Sequence, residues 1–370
     1  MSALFSPISL RGLKLPNRIM VAPMCQYSAE NGEPNDWHFT HINMLALSGA
    51  AMFCIEATHV EAIGRITPGC LGLWNDATEA AFRPILASVR KHCSIAIAIQ
   101  LAHAGRKGSS HKPWDGGQQI PFDQGGWQTE GPSAIPHKEG EAPPHAFDAQ
   151  GLARVREAFI AAAKRAERLG IDAIELHAAH GYLLHQFLSP ISNQRTDQYG
   201  GSLQNRLRYP LEVFDAIRAV FPAEKPIGVK VSATDWVEGG WDLAQTIEFA
   251  KELKKRGVDW IDASSGGVSP KQKIPLGPGY QVPFAQGIKQ ATGVTTMAVG
   301  LITEPKQAED IVASGKADMV ALARGMLYDP RWGWHAAAEL GGEVQAPPQY
   351  WRSQPSTQKS LFGATTFGAR

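Results

Sequence analysis

Short apolar runs alternate with amphipathic stretches along nearly the whole chain. The runs at 18–22, 51–57, 95–101, 172–177, 226–232, 259–264, 295–299 and 318–323 read as buried strands. Between them, the apolar positions recur at helical spacing near 38–48, 77–91, 150–168, 203–220, 243–256, 282–291, 304–314 and 332–340. In the stretch 150–168, Leu152, Val155, Phe159, Ala162 and Ala166 share one face. In 203–220 the stripe is Leu207, Leu211, Phe214, Ile217 and Val220. Gly170 and Gly257 close two of these helices, each just before a strand that opens Ile-Asp or Val-Asp. Eight strand-then-helix units imply an α/β fold, the closed (β/α)8 TIM barrel. A doubly wound open sheet is the alternative, but no GxGxxG follows the first strand, where a dinucleotide fold needs it.

One segment breaks the alternation. Between the third strand and the helix at 150 lies a long insertion, about 103–149, rich in Gly, Pro, His, Trp and Gln. Loops of this length usually carry function or are disordered. Trp114, Phe122, Trp127 and Phe147 favour a lid over the barrel mouth, because a solvated linker holds few aromatics. Residues 1–352 read as one domain, and the polar tail 353–370 as a disordered end.

Composition narrows the partners. The 370 residues carry 36 Lys plus Arg against 35 Asp plus Glu, a formal net charge of +1. That balance argues against a nucleic-acid binder. No apolar run reaches the length of a membrane span, and the first fifteen residues lack a signal-peptide core. Cys25, Cys54, Cys70 and Cys93 form neither CxxC pairs nor a disulfide framework. The chain reads as cytoplasmic and reduced, with Cys54 and Cys93 as plain core residues.

Candidate chemistry gathers at the C-terminal ends of the strands, the face on which barrels of this type work. The densest stretch is Ile174-Glu175-Leu176-His177-Ala178-Ala179-His180-Gly181-Tyr182. Residues three apart on a strand face opposite ways, so both imidazoles can converge only where the chain leaves strand geometry. The two histidines could donate hydrogen bonds to a carbonyl or oxyanion, ligate a metal, or be held structurally. Cys25, with no base beside it, is a weak nucleophile candidate, and could instead tune redox chemistry or simply be buried. Tyr27 and Tyr182 could give protons. Gly300 and Arg324, at the ends of strands seven and eight, suit a phosphate.

Several stretches together resemble the Old Yellow Enzyme family of NADH:flavin oxidoreductases. They are Leu15–Ile19, Ala22–Tyr27, Gln100–Arg106, His177–Tyr182 and Ser192–Ser202 with Asn205 and Arg206. The likeness spans essentially residues 3–352. It is closest to the bacterial, thermophilic-like branch of YqjM-type enzymes and xenobiotic reductase A. This resemblance implies FMN across the barrel mouth. Ala22, Pro23, Met24 and Cys25 would contact the ring, with Ala57 and Gln100 at its pyrimidine side and Lys230 near N1 and O2. Gly300, Ala323 and Arg324 would hold the phosphate, with Ser265 or Gly266 nearby. His177 and His180 match the pair that binds the substrate's activating group, Tyr182 the proton donor, and Tyr27 a second substrate contact. Cys25 matches a residue that tunes the flavin.

The implied activity is an ene-reductase. NADPH or NADH reduces FMN, which then reduces an enone, enal, nitroalkene or maleimide. Two departures stand out: Lys230 replaces the usual arginine, losing its planar fork, and Val299 stands where the xenobiotic-reductase relative has tryptophan. Pro348–Arg352 resembles a segment that reaches the neighbouring subunit's site, which makes Arg352 a contact in trans and implies a homodimer or homotetramer. The alternatives are a metal-dependent barrel hydrolase using His177, His180 and Glu175, which would be colourless and inactivated by chelators, and a non-catalytic flavin redox sensor.

Overall fold

The computed structural model describes residues 2–365. Eight parallel strands close into a barrel in chain order: Ile19–Val21, Met52–His59, Ala96–Ala102, Ala173–Ala178, Ile227–Ser232, Trp260–Ser264, Thr296–Ala298 and Met319–Leu322. The eighth pairs with the first through Val320 and Ile19. Every expected strand and helix is present, with ends shifted by a residue or two.

The strand sequences explain the closure. The third strand alternates Ala96, Ala98 with Ile97, Ile99. The alanines join Met20, Met52, Cys54, Trp260, Met297 and Met319 in the barrel interior, while the isoleucines pack outward beneath the helices. Trp260 fills much of the interior because the facing position is Gly228, where a Cβ would lie 1.9 Å from the indole. The outer helices bury the stripes that their periodicity predicts, Leu152, Val155, Phe159, Ala162 and Ala166 among them. Asp148 and Ser202 cap two of them by accepting backbone N–H bonds.

Some of the smaller elements were not legible as such. An antiparallel hairpin, Ile8–Leu10 with Leu13–Leu15, plugs the barrel's N-terminal end with Leu10 and Leu15. The helices Leu183–Leu188 and Arg324–Tyr328 are too short to show a period. The tail also departs from expectation. Leu361 and Phe362 are buried, with the Phe362 ring 4.8 Å from Trp334, so the tail is packed at least this far. The expected disorder of 366–370 lies outside the described residues. No helix among the described residues is long and apolar enough to cross a membrane.

Candidate active site

The fourth strand delivers the chemistry. Its inward positions carry Glu175 and then His177, and the chain leaves strand geometry immediately afterwards. His180 and Gly181 both take left-handed backbone, with φ of 57° and 72°. A non-glycine residue held there is strained, a condition typical of functional sites. This turn brings the three rings together: His177 lies 5.3 Å from His180 and 5.0 Å from Tyr182, both edge-on. Neighbouring elements hold the turn. The His180 N–H donates to Ser232 Oγ at 2.9 Å, and its ring Nε2 lies 2.7 Å from Ser264 Oγ. Lys107 Nζ donates to the carbonyls of His180 and Gly267. Burial, together with Lys230 and other nearby cations, holds both imidazoles well below the usual histidine range, so they are neutral.

The loop after the first strand meets this cluster. Cys25, Tyr27 and Tyr182 pack around Ile66, Cys70 and Ala104. Tyr27 is also left-handed, at φ 52°, and its ring stands 5.7 Å from Trp114 of the insertion. Burial and the Glu56 carboxyl push the Cys25 thiol up, so it is no activated nucleophile. Glu56 itself accepts the Gln26 N–H at 2.9 Å. Burial also raises the Tyr182 phenol, keeping its proton in place until a strong base presents itself.

Below the rings, the barrel interior turns polar. Lys230 forms an ion pair with Asp262 on the next strand. Gln100 donates to Glu175 at 2.8 Å, and Trp260 donates to the other Glu175 oxygen at 3.4 Å. Burial alone would lower the Lys230 pKa, but Asp262 and Glu175 outweigh it and keep the ammonium charged.

The seventh and eighth strands end in a second corner. Gly300 and Leu301 take φ of 117° and 50° in succession. The φ of 117° favours glycine at 300, and a Cβ there would also press on Gln281 Nε2 at 2.7 Å and on Tyr280 at 3.1 Å. Arg324 is exposed at the start of its short helix, and Ala323 is half-buried beside it. Ser265 is less free than expected. Its hydroxyl accepts from Trp236 Nε1 and donates to Gln281 Oε1. Gly266 beside it is left-handed, at φ 72°.

Other expectations resolve differently. His103, also at a strand end, turns away to Glu61 at 2.9 Å. Glu61, His103 and Glu130 bring ligand atoms within 4.8 Å of one another, but Arg154 already bonds both carboxylates. The hydrolase reading needs Glu175 as a third ligand beside the histidines, and both Glu175 oxygens are engaged with Gln100 and Trp260. Cys54 lies in the barrel interior, as expected, whereas Cys93 is only half-buried. Of the insertion's aromatics, Phe147 is buried and Trp114 packs on Tyr27, while Phe122 faces solvent. Lys107, Ser232 and Gln281 were not identified from sequence, and Ser264, placed at the end of the sixth strand, was given no role. Lys107 adjoins the Gln100–Arg106 motif, and the others carry no local signal.

Comparison with known proteins agrees with this geometry. A profile of the NADH:flavin oxidoreductase / NADH oxidase family matches residues 3–342. An NADH:flavin oxidoreductase of Gibberella zeae is 45% identical, covering 93% of this chain and 87% of its own. NADPH dehydrogenases of Geobacillus thermodenitrificans and Listeria innocua are each 42% identical, covering 95% of this chain and 98% and 99% of theirs. Among solved structures, morphinone reductase superimposes with a TM-score of 0.76 at 28% identity, covering 94% of this chain and 91% of its own. The same enzyme in complex with tetrahydroNAD gives 0.75. The resemblance to Old Yellow Enzymes therefore holds. The chain belongs to the NADH:flavin oxidoreductase / NADH oxidase family, as an NAD(P)H-dependent oxidoreductase with FMN as cofactor.

Proposed function

We propose that this enzyme is an ene-reductase acting on activated alkenes: enones, enals, nitroalkenes or maleimides. The observation that carries the reading is the cluster of two neutral imidazoles and a protonated phenol at one opening, with the His177 ring 5.3 Å from His180 and 5.0 Å from Tyr182.

The surrounding residues suit FMN. The corner at Gly300 would admit a phosphate, with Ala323, Arg324, Gly266 and the Ser265 backbone beside it. Lys230 and Gln100 would meet the polar edge of the ring, where a buried cation favours negative charge. Ala22, Pro23, Met24, Cys25 and Ala57 would line its remaining contacts. FMN held by these residues would supply the hydride chemistry, linking oxidation of NADPH or NADH to reduction of the alkene at its β-carbon. The chain's own residues do the rest. His177 and His180 donate hydrogen bonds to the carbonyl or nitro oxygen, and these strengthen as negative charge builds. Tyr182 gives its proton to the α-carbon. Cys25 and Tyr27 flank the substrate, and Trp114 of the lid-like insertion closes over Tyr27.

Arg352 lies in the turn Pro348–Ser353. Residues Val344–Pro348 line one cavity together with Pro16, Ala51 and Ile95, which stand at the N-terminal ends of the first three strands, away from the mouth. This placement supports a role for Arg352 at the site of a second copy, and we expect a homodimer or homotetramer. We expect the enzyme to work in the cytoplasm, with its four free cysteines reduced.

The test is anaerobic stopped-flow on the holoenzyme, with NADPH and then 2-cyclohexenone. In H177A/H180A, flavin reduction should persist while reoxidation by the enone falls at least ~100-fold. Undiminished reoxidation would overturn the proposal.

A further inference from the structure

Two neutral imidazoles can both donate to one oxygen only if each carries its proton on the nitrogen that faces the pocket. The surroundings of the two rings bear on this in opposite ways. The Ala179 N–H donates to His177 Nδ1 at 3.2 Å, so the His177 proton sits on Nε2. In His180 it is Nε2 that the protein engages, at 2.7 Å from Ser264 Oγ, which leaves Nδ1 for the pocket. A proton on Nε2 of His180 would aim a lone pair at the substrate oxygen and repel it.

A chain of hydrogen bonds decides the direction of the Ser264 contact. Gln281 Nε2 donates to the Val299 carbonyl at 3.0 Å, which turns its Oε1 toward the two serines. Trp236 Nε1 donates to Ser265 Oγ at 2.9 Å, so the Ser265 proton goes to Gln281 Oε1, 2.5 Å away. A second lone pair of that oxygen faces Ser264, but at 3.4 Å from Ser264 Oγ it lies near the limit of a hydrogen bond. The Ser264 hydroxyl therefore donates to His180 Nε2, at the far shorter distance of 2.7 Å.

We infer that Ser264 is a positioning residue that holds His180 as the Nδ1–H tautomer, opposite to His177, so that both rings donate into one site. This rests on the ene-reductase reading for its consequence, but not for the tautomer itself. The main chain that carries the His180 ring is itself fixed in place. Its backbone N–H is bound to Ser232, its carbonyl to Lys107, and its φ is positive.

The tautomer is read directly from long-range proton–nitrogen NMR of holoenzyme labelled with 15N-histidine, with H180N assigning the signal. The expected result is an Nδ1–H His180 in the unaltered enzyme and in S264T, and an Nε2–H or mixed form in S264A. Kinetics give the second readout. S264A should slow enone reduction about 10- to 100-fold while leaving reduction by NADPH within a factor of about three. In the H180N background, S264A should cost less than about twofold, because an amide N–H2 donates without a tautomeric choice. An Nε2–H His180 in the unaltered enzyme would overturn the inference. So would an equal loss from S264A in both backgrounds, which marks a merely structural serine. An enzyme that reduces no activated alkene would sink the ene-reductase reading, while the NMR result still decides the role of Ser264.

Discussion

Lys230 and Asp262 stand directly opposite each other in the register of the fifth and sixth strands, and their side chains form an ion pair sealed inside the barrel. Glu175, one strand away, adds a second carboxyl that burial holds above the usual range. A lone ammonium here would be costly, and so would two unpaired carboxylates. K230M removes the cation and leaves Asp262 uncompensated. It should lose about 3–5 kcal/mol of unfolding free energy in urea, whereas K230R should lose much less. A K230M apoprotein within ~1 kcal/mol of the parent would show that the pair contributes little.

Glu56 sets a pH dependence. Burial pushes its carboxyl up to about 8, with the Gln26 N–H pulling the other way. The neighbouring His38 is lowered to about 4 by burial, so it stays neutral and offers no countercharge. The folded state therefore holds a proton that the unfolded state has released. The contribution is fully present below pH ~4.5 and is lost as pH rises to about 8, at up to about 1.4 kcal/mol per unit. E56Q keeps the neutral shape and removes the titration. Urea melts at pH 5, 6.5 and 8 should show the difference between parent and E56Q growing in favour of E56Q with pH. A constant difference would mean that Glu56 is ionised throughout.

Most of the barrel was legible because its period is carried by large residues: Ile97 and Ile99 outside, alanines inside, and stripes such as Leu207–Leu211–Phe214 on the helices. The histidine pair was equally legible, since two imidazoles and a tyrosine at a strand end break the apolar pattern. What could not be read is what holds them. Ser232, Ser264 and Gln281 meet His180 or each other across 17 to 84 residues of sequence, and a serine at a strand end carries no local signal of its partner. The tail misled for a similar reason. Its polar composition hides Leu361 and Phe362, whose burial depends on the distant Trp334.

Gly181 is expected to tolerate no side chain. A Cβ there would lie 2.1 Å from the Gly267 carbonyl oxygen, and its φ of 72° disfavours any L-residue. The contact is mutual, because a Cβ at 267 would meet the His180 backbone at 2.4 Å. Since both partners are backbone, relief requires the fourth- and sixth-strand loops to part. G181A should therefore cost at least ~2 kcal/mol in urea melts and misplace His180, with enone reduction falling more than reduction by NADPH. A variant with parental stability and rates would show that these loops yield easily.

Lys107 bears on the last step of the proposed reaction. Its ammonium lies 4.9 Å from the centroid of the Tyr182 ring, above the group proposed to give up a proton. As that proton leaves, negative charge develops on the phenol, and a cation against the ring face stabilises it. Burial, with Arg106 and Lys138, lowers the Lys107 pKa to about 8, Glu141 opposing the shift. The ammonium is thus present below pH 8 and lost above it, so enone-driven reoxidation should decline above about pH 8 in the parent. K107M should be about 2- to 30-fold slower at pH 7 and lack that alkaline decline. Lys107 also bonds the His180 carbonyl, so its two roles must be separated. In the Y182F background, K107M should cost less than about twofold if it acts through the phenol, and its full effect if it acts through His180.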